Sequence, residues 1–289
     1  MNRAWPDNQS LDYTRWLATH HYENFHVVSF LLPKHLHQDF YNVYSFCRWA
    51  DDLGDEIGDP AESLRLLAWW RSLLHDLYNG KSPAHPVFVA LQHSIQRHDL
   101  PRQPFDDLIT AFEHDQRVTR YANWDEVLHY CRFSANPVGR LVLYLGGYRD
   151  EERQRLSDAT CTALQLANFW QDVTVDLEKN RVYLPQHLFT LHGYSEDQLF
   201  ARQFTPAFRL VMTDAVATAQ ALFEQGLPLA RMLDRRLALD IDLFSRGGLK
   251  VLDKIRAQDY NVLRARPAIS KLERVSLLLR SLARVTLAA

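Results

Sequence analysis

Most of the chain repeats apolar residues at spacings of three and four, which places them on one face of a helix. No stretch alternates polar and apolar residues over the length of a strand. The pattern therefore predicts an all-α fold. The predicted helices are Asp12 to Leu32, Leu36 to Ile57, Ala61 to Tyr78, Val87 to His98, Phe105 to Arg117, Trp124 to about Tyr144, Asp150 to Glu178, Thr205 to Leu233, Leu237 to Gln258 and Ile269 to Leu287.

Two short segments interrupt this pattern inside predicted helices. Asn136-Pro137 predicts a kink, because proline lacks a backbone donor and clashes with the preceding turn. Gly247-Gly248 predicts either a bend or a close approach between helices. Neither segment resembles a linker between domains.

The composition sets bounds on size and partners. A chain of 289 residues with 47% hydrophobic content is large enough to bury one sizeable core, and a single domain over residues 1–289 is the simplest organisation. The net charge is −2, and acidic and basic residues are dispersed along the chain. Because nucleic-acid binding needs a concentrated basic surface, no nucleic-acid partner is expected.

The cysteines and the chain start bear on location. Residues 1–10 are polar and lack the apolar run of a secretory signal. Cys47, Cys131 and Cys161 have no paired spacing, which favours reduced thiols in a cytoplasmic protein. No apolar run approaches the roughly 20 residues that span a bilayer, so any membrane association is expected to be peripheral.

The first candidate site is an acidic cluster at the end of the second predicted helix. Asp51 and Asp55 are four residues apart and share a face, and Asp52 lies three before Asp55. Like charges at such spacing destabilise a helix unless cations relieve them, which favours divalent metal binding. A solvated acidic helix end is the alternative interpretation.

The second candidate site is a polar stripe within an apolar segment. Asn168, Asp172 and Asp176 recur at every fourth residue, so their oxygen atoms project from one side of a helix. Burying an amide and two carboxylates among apolar neighbours is costly unless ligands satisfy them. A stripe that faces solvent is the alternative.

Together the two stripes suit Mg²⁺, which is often held by one or two carboxylates plus substrate phosphates. We predict that the stripes face each other across a central cavity and bind a diphosphate through Mg²⁺. Arg48, Lys179 and Arg181 would complete the phosphate site. When the diphosphate leaves, it leaves behind a carbocation, which needs a dry cavity with aromatic walls. Tyr44 and Tyr183, which neighbour the acidic motifs, are candidates for those walls.

These motifs resemble those of the squalene/phytoene synthase family of head-to-head isoprenoid synthases over nearly the whole chain. The segments that carry the resemblance are residues 44–56 and 168–185, supported by residues 134–139 and 260–267. Residues 21–25 and 31–33 look like the family's bacterial hopanoid-pathway branch, the hydroxysqualene synthases. That branch implies ionisation of presqualene diphosphate followed by capture of water.

The resemblance also implies roles for individual residues. It assigns metal and diphosphate binding to the motif aspartates, with the two amides beside them. It places Arg48, Arg181 and Tyr183 in the diphosphate pocket, and His21, Phe25 and Tyr44 along the substrate channel. The aspartates are Asp51, Asp55, Asp172 and Asp176, and the amides are Gln165 and Asn168, of which Asn168 is also a metal candidate. Asp52, in the same acidic cluster, is a further metal candidate. Mg²⁺ is the implied cofactor and an isoprenoid diphosphate the implied substrate; oligomeric state is not indicated.

The second motif departs from the family pattern at two positions. Gln171 stands where the family usually has arginine, and Val175 where it has glutamate. The change favours a substrate with one diphosphate, although neutral drift explains it equally well. Condensation of two farnesyl or geranylgeranyl diphosphates therefore stays an alternative. A non-catalytic assembly factor is disfavoured because Asp51, Asp55, Asp172 and Asp176 are retained, and a terpene cyclase is disfavoured by the extent of the resemblance.

Overall fold

The protein is built of α-helices, as the pattern predicts. The structure, a computed structural model, describes residues 5–20 and 32–287, with side chains up to residue 285. Within these ranges there is no strand; one isolated parallel bridge pairs Arg120 with Val182. The α-helices are α1 Asp7–His20, α2 His37–Asp55, α3 Pro60–Tyr78, α4 Pro86–His98, α5 Gln103–Asp115, α6 Trp124–Ser134, α7 Asn136–Leu145, α8 Glu151–Gln171, α9 Val173–Glu178, α10 Gln186–His192, α11 Glu196–Phe200, α12 Pro206–Gly226, α13 Arg235–Ala257 and α14 Lys271–Leu287.

The chain divides into two compact units. The first comprises Met1–Arg117 and Pro137–Gln154, and the second comprises Val118–Asn136 and Arg155–Ala289. Each unit has its own set of buried apolar side chains. The organisation of residues 1–289 as a single domain stays a prediction.

In the first unit, α2 is held by an aromatic core. Phe46 is fully buried, and its ring centroid lies 5.0 Å from that of Phe105 and 5.6 Å from that of Trp70. Ala50 continues the same buried face one turn later. Large buried aromatic side chains contribute strongly to stability, so this core fixes the helix that carries the first acidic motif.

In the second unit, glycines allow helices to pack closely. A Cβ atom added to Gly248 of α13 would lie 2.2 Å from Cζ of Phe223 in α12, and one added to Gly226 would lie 2.2 Å from Oγ1 of Thr160 in α8. The prediction of close packing at Gly248 is therefore confirmed. The helix α13 is continuous over Arg235–Ala257, and the alternative of a bend within it stays a prediction.

Several helix boundaries differ from the predicted ones. The kink predicted at Asn136-Pro137 is a full break one residue earlier, at Ala135, which separates α6 from α7. The predicted helix to Leu233 gives way to a 3₁₀ turn over Leu227–Met232, where Pro228 cannot donate to the helix. The short helices α10 and α11 were not predicted, since five to seven residues are too few to establish a periodicity. Residues 21–31 of the first predicted helix lie outside the described residues.

The structure also bears on the thiols and on membrane crossing. All three cysteines are free, as predicted. Burial raises the pKa of the Cys47 and Cys131 thiols to about 12, with the charge of Asp51 adding to the shift at Cys47, so both stay protonated at neutral pH. Among the residues described, no helix has the length and apolar character needed to cross a bilayer.

Candidate active site

The first acidic motif occupies the last two turns of α2. Arg48 makes an ion pair with each of two neighbouring aspartates: its Nη1 lies 3.1 Å from Oδ2 of Asp51, and its Nη2 lies 2.5 Å from Oδ1 of Asp52. All three side chains are partly exposed. One guanidinium group therefore holds two carboxylates on the same side of the helix end.

The position of this motif makes its negative charge costly. The last turn of α2 contains no basic residue, and the C-terminal end of a helix carries a partial negative charge. Burial lowers the pKa of Arg48, but the hydrogen bond that Arg48 donates to Asp52 and the charge of Asp51 outweigh it and raise that pKa above its ordinary value. The site is thus one where a further cation would be stabilised.

The end of α2 is fixed in place by α5. The Gly54 carbonyl accepts a hydrogen bond of 2.9 Å from Nε2 of Gln116, just beyond the end of α5. A Cβ atom at Gly54 would lie 3.4 Å from Cβ of Phe112, so the two helices are in close contact here. Asp55, the last residue of α2, follows this contact directly, and half-buried Tyr44 lies one turn before Arg48 on the same helix.

The second motif lies where α8 gives way to α9. Asp172 interrupts the helix with φ −106° and ψ 13°, but the backbone remains linked across it: the Asp172 N–H donates to the Asn168 carbonyl at 2.9 Å, and the Asp176 N–H donates to the Asp172 carbonyl at 2.9 Å. The predicted single helix to Glu178 is therefore wrong at one residue. These bonds nevertheless keep Asn168, Asp172 and Asp176 one above another, as their spacing predicts.

Backbone hydrogen bonds also tie the following loop to the motif. The Asp176 carbonyl accepts from the N–H groups of Lys179 at 3.0 Å and Arg181 at 2.9 Å. The turn between them places Asn180 at φ 54°, in the left-handed region. The two basic residues predicted to bind phosphate thus follow directly on the last aspartate of the stripe.

Arg120 holds this loop from the neighbouring segment. Its Nη1 donates to the Asn180 carbonyl at 2.5 Å and its Nη2 to the Asn180 side chain at 2.8 Å. Its Nε pairs with Glu196 at 2.7 Å. Next to it, the Val182 N–H donates to the Thr119 carbonyl at 2.9 Å. Arg120 carries no signal in the sequence because its partners are 60 to 76 residues away.

Stacked aromatic rings form a wall beside the stripe. The rings of Phe169 and Tyr183 are nearly parallel at 4°, with centroids 3.7 Å apart, and Tyr121 and Tyr130 lie within 6 Å of Tyr183. Phe169 and Tyr183 line a small hollow together with a carboxylate and a guanidinium. The full lining is Phe169, Val173, Asp176, Leu177, Arg181, Val182, Tyr183, Leu184 and Leu199.

Arg266, in the matching segment 260–267, is a further residue that contacts the second motif, and no role was predicted for it. Its Nε and Nη2 both pair with the carboxylate of Asp172, the latter at 3.1 Å. Beside it, Nε2 of Gln171 donates to the Pro267 carbonyl at 2.5 Å. The uncharged amide of Gln171 thus anchors the backbone next to Arg266. Val175, the second departure from the family pattern, is exposed.

We predict that Gln171→Met lowers stability measurably. The side chain of Gln171 is buried, so its removal leaves the Pro267 carbonyl without this partner, at a cost of about 1–2 kcal/mol. Gln258→Met is the matched control, because Gln258 also donates to a backbone carbonyl, that of Ala265, but through a hydrogen bond that is exposed to solvent. Urea unfolding of both variants tests this, and equal midpoints would contradict the assigned anchor.

The remaining predicted site residues fall in different surroundings. Asn168 is exposed and Gln165 half-buried on α8, while His21 and Phe25 lie outside the described residues. Within the part of the chain that the structure describes, no three His, Cys, Asp or Glu side chains gather to hold a metal ion. The first motif belongs to the first unit and the second motif to the second unit, and their apposition across a cavity stays a prediction.

Comparison with known proteins identifies a matching family. A family model described as squalene/phytoene synthase matches residues 18–273. That range includes both acidic motifs and Arg266.

Individual relatives agree with this match. The chain is 34% identical over 244 residues to hydroxysqualene synthase of Rhodopseudomonas palustris, covering 83% of this chain and 82% of that protein. It is 32% identical to phytoene synthase of Thermus thermophilus, covering 89% and 87%. The crystal structure of squalene synthase HpnC from Alicyclobacillus acidocaldarius superposes with a TM-score of 0.84 at 43% identity, covering 88% of this chain and 96% of that one.

Proposed function

Because this chain belongs to the squalene/phytoene synthase family, we propose that it ionises presqualene diphosphate and captures the cation with water. The products would be hydroxysqualene and inorganic diphosphate, in squalene and hopanoid biosynthesis. The similarity to proteins named hydroxysqualene synthase supports this choice within the family.

The observation that carries the proposal is the set of side chains that meet in the second unit. Asp176 and Arg181 lie beside the stacked rings of Phe169 and Tyr183 there. Ionising an allylic or cyclopropylcarbinyl diphosphate needs two things near each other: charged groups for the leaving group, and π faces that stabilise a cation away from bulk water. Both kinds of side chain lie within residues 169–183.

The donor set fits Mg²⁺. Asp51, Asp52, Asp55, Asn168, Asp172 and Asp176 offer only oxygen ligands, and each motif by itself is too small to enclose an ion. That is the arrangement expected for Mg²⁺, which keeps several waters and binds through few carboxylates plus substrate phosphates. When bound, the ion would supply positive charge that neutralises the departing diphosphate.

The side chains of the protein would divide the remaining work. Arg48, Lys179 and Arg181 would hold the diphosphate oxygens, with the arginines able to donate two hydrogen bonds at once. The C–O bond to the diphosphate breaks and leaves its electron pair on oxygen. The rings of Phe169, Tyr183 and Tyr44 would face the carbocation and exclude bulk water while the cation rearranges. A retained water then adds through its oxygen and loses a proton, which completes the alcohol.

Condensation of two farnesyl or geranylgeranyl diphosphates is the second candidate. It is favoured by the similarity to a protein named phytoene synthase. Against it stand Gln171 and Val175, which replace the arginine and the glutamate usual in the second motif of the family and so thin the polar shell around it. The proposed enzyme is cytoplasmic and contacts the membrane peripherally. Its free cysteines support the first point and its apolar substrate the second.

The test is incubation of the pure protein with presqualene diphosphate and Mg²⁺ in ¹⁸O-labelled water, followed by mass spectrometry. We expect hydroxysqualene with one ¹⁸O atom, no product after chelation of Mg²⁺, and no rate increase with NADPH. Parallel incubation with farnesyl diphosphate tests the second candidate. Unlabelled squalene formed only with NADPH, or product from farnesyl diphosphate alone, would overturn the proposal.

A further inference from the structure

The C-terminal helix α14 has one face bound to the protein and one face exposed. On the bound face, Ser281 is fully buried, and Arg284 pairs with the buried carboxylate of Asp242 in α13 at 3.0 Å. Glu273 pairs with Lys254 of α13 at 2.7 Å. These contacts fix the rotation of α14 about its own axis.

The exposed face is apolar. Leu272, Val275, Leu279 and Leu282 are 84%, 55%, 61% and 36% exposed. Their spacing of three, four and three residues places them in one stripe along the helix. Scattered apolar residues are normal on a protein surface, but a continuous stripe marks an interaction surface.

Basic residues border the stripe. Lys271, Arg274 and Arg280 are exposed, and within the described residues none of them forms an ion pair with a carboxylate. The one acidic residue of α14, Glu273, is already engaged by Lys254 and Lys250. The free charge that borders the stripe is therefore positive.

We propose that the exposed face of α14 binds an anionic lipid surface. A preformed helix with an apolar stripe and unpaired basic residues is the form that lies in a membrane interface, where apolar burial and attraction to acidic headgroups act together. A second copy of the chain fits less well. Pairing the stripes of two copies would bring Lys271 and Arg280 near the same basic residues of the other copy, with no acidic residue to offset the repulsion. The proposal does not depend on the reaction catalysed.

The experiment is co-sedimentation of the whole protein, without substrate, with two kinds of vesicle. One is phosphatidylcholine alone, and the other contains roughly one third phosphatidylglycerol. We expect binding to the anionic vesicles that weakens with added salt, because screening shortens the range of the attraction. Equal binding to both vesicles, or to neither, would overturn the proposal.

Two pairs of variants identify the surface. Lys271→Gln with Arg280→Gln should weaken binding by roughly 30-fold, since each basic residue near an anionic surface contributes about fivefold. Leu272→Ser with Leu279→Ser should weaken it by about tenfold or more. The matched controls are Arg155→Gln with Arg231→Gln and Leu191→Ser with Leu210→Ser, all exposed in the same unit, and these should bind normally.

Whether the stripe binds a second copy of the chain is tested by measuring the mass of the protein in solution. Sedimentation equilibrium of the free protein should give the same mass for the chain and for Leu272→Ser with Leu279→Ser. A dimer that this double variant dissociates would overturn the proposal and assign the stripe to self-association. Loss of vesicle binding in the control variants as well would also overturn it, because the effect would then not belong to α14.

Discussion

Asp172→Asn is expected to lower kcat by roughly a thousandfold, the scale on which loss of one preorganised electrostatic group acts. The substitution keeps the shape of the side chain but removes the negative charge that would bind Mg²⁺. Its ion pair with Arg266 is partly exposed, so its loss costs about 1 kcal/mol or less of stability. Steady-state kinetics over a range of Mg²⁺ concentrations, with thermal unfolding in parallel, measures both effects.

Arg266→Gln is the matched control for this variant. It breaks the same ion pair but leaves the carboxylate of Asp172 in place. If Asp172 binds the metal, Asp172→Asn should raise the Mg²⁺ concentration needed for half-maximal activity, and Arg266→Gln should not. Full activity of Asp172→Asn at saturating Mg²⁺ would show that Asp172 does not bind the metal. Identical dependence of activity on Mg²⁺ in Asp172→Asn and Arg266→Gln would show that Asp172 acts only through its ion pair with Arg266.

Arg48→Gln is expected to lower kcat/KM by roughly a hundredfold, because it removes one charged donor to the diphosphate. The guanidinium group is the shared partner of Asp51 and Asp52 at the negative end of α2. Its loss would let the two carboxylates repel each other and would remove a donor for the diphosphate. Arg48→Lys should recover only part of the activity, because one ammonium group cannot match the fork of the guanidinium.

Arg65→Gln is the control for the loss of a helical arginine. Arg65 pairs with Glu62 three residues earlier on α3 in the same unit, as Arg48 pairs with acids on α2. The Arg65 pair is exposed and belongs to neither motif, so kinetics should stay within about twofold of the unaltered protein. Equal losses in Arg48→Gln and Arg65→Gln would show that Arg48 acts through general helix stability alone.

The family and the acidic motifs could be predicted from the sequence because they depend on local spacing. Four-residue intervals place Asp172 and Asp176 on one side of a helix whatever the rest of the chain does. The interruption at Asp172 was not predictable in this way, since no proline or glycine marks it. The clamp on the loop by Arg120 was equally hidden, because the partner residue Asn180 is 60 positions away.

The sequence by itself determined the all-α class, the two acidic motifs and the membership of the squalene/phytoene synthase family. Periodicity and spacing are properties of neighbouring residues, and helices follow from them directly. Only the tertiary structure decided which cations meet which carboxylates: Arg48 with Asp51 and Asp52, and Arg266 with Asp172. It also decided that Tyr183 stacks on Phe169 and that one face of α14 is left exposed. Such pairings depend on how distant segments pack, and packing is a property of the whole fold rather than of any local pattern.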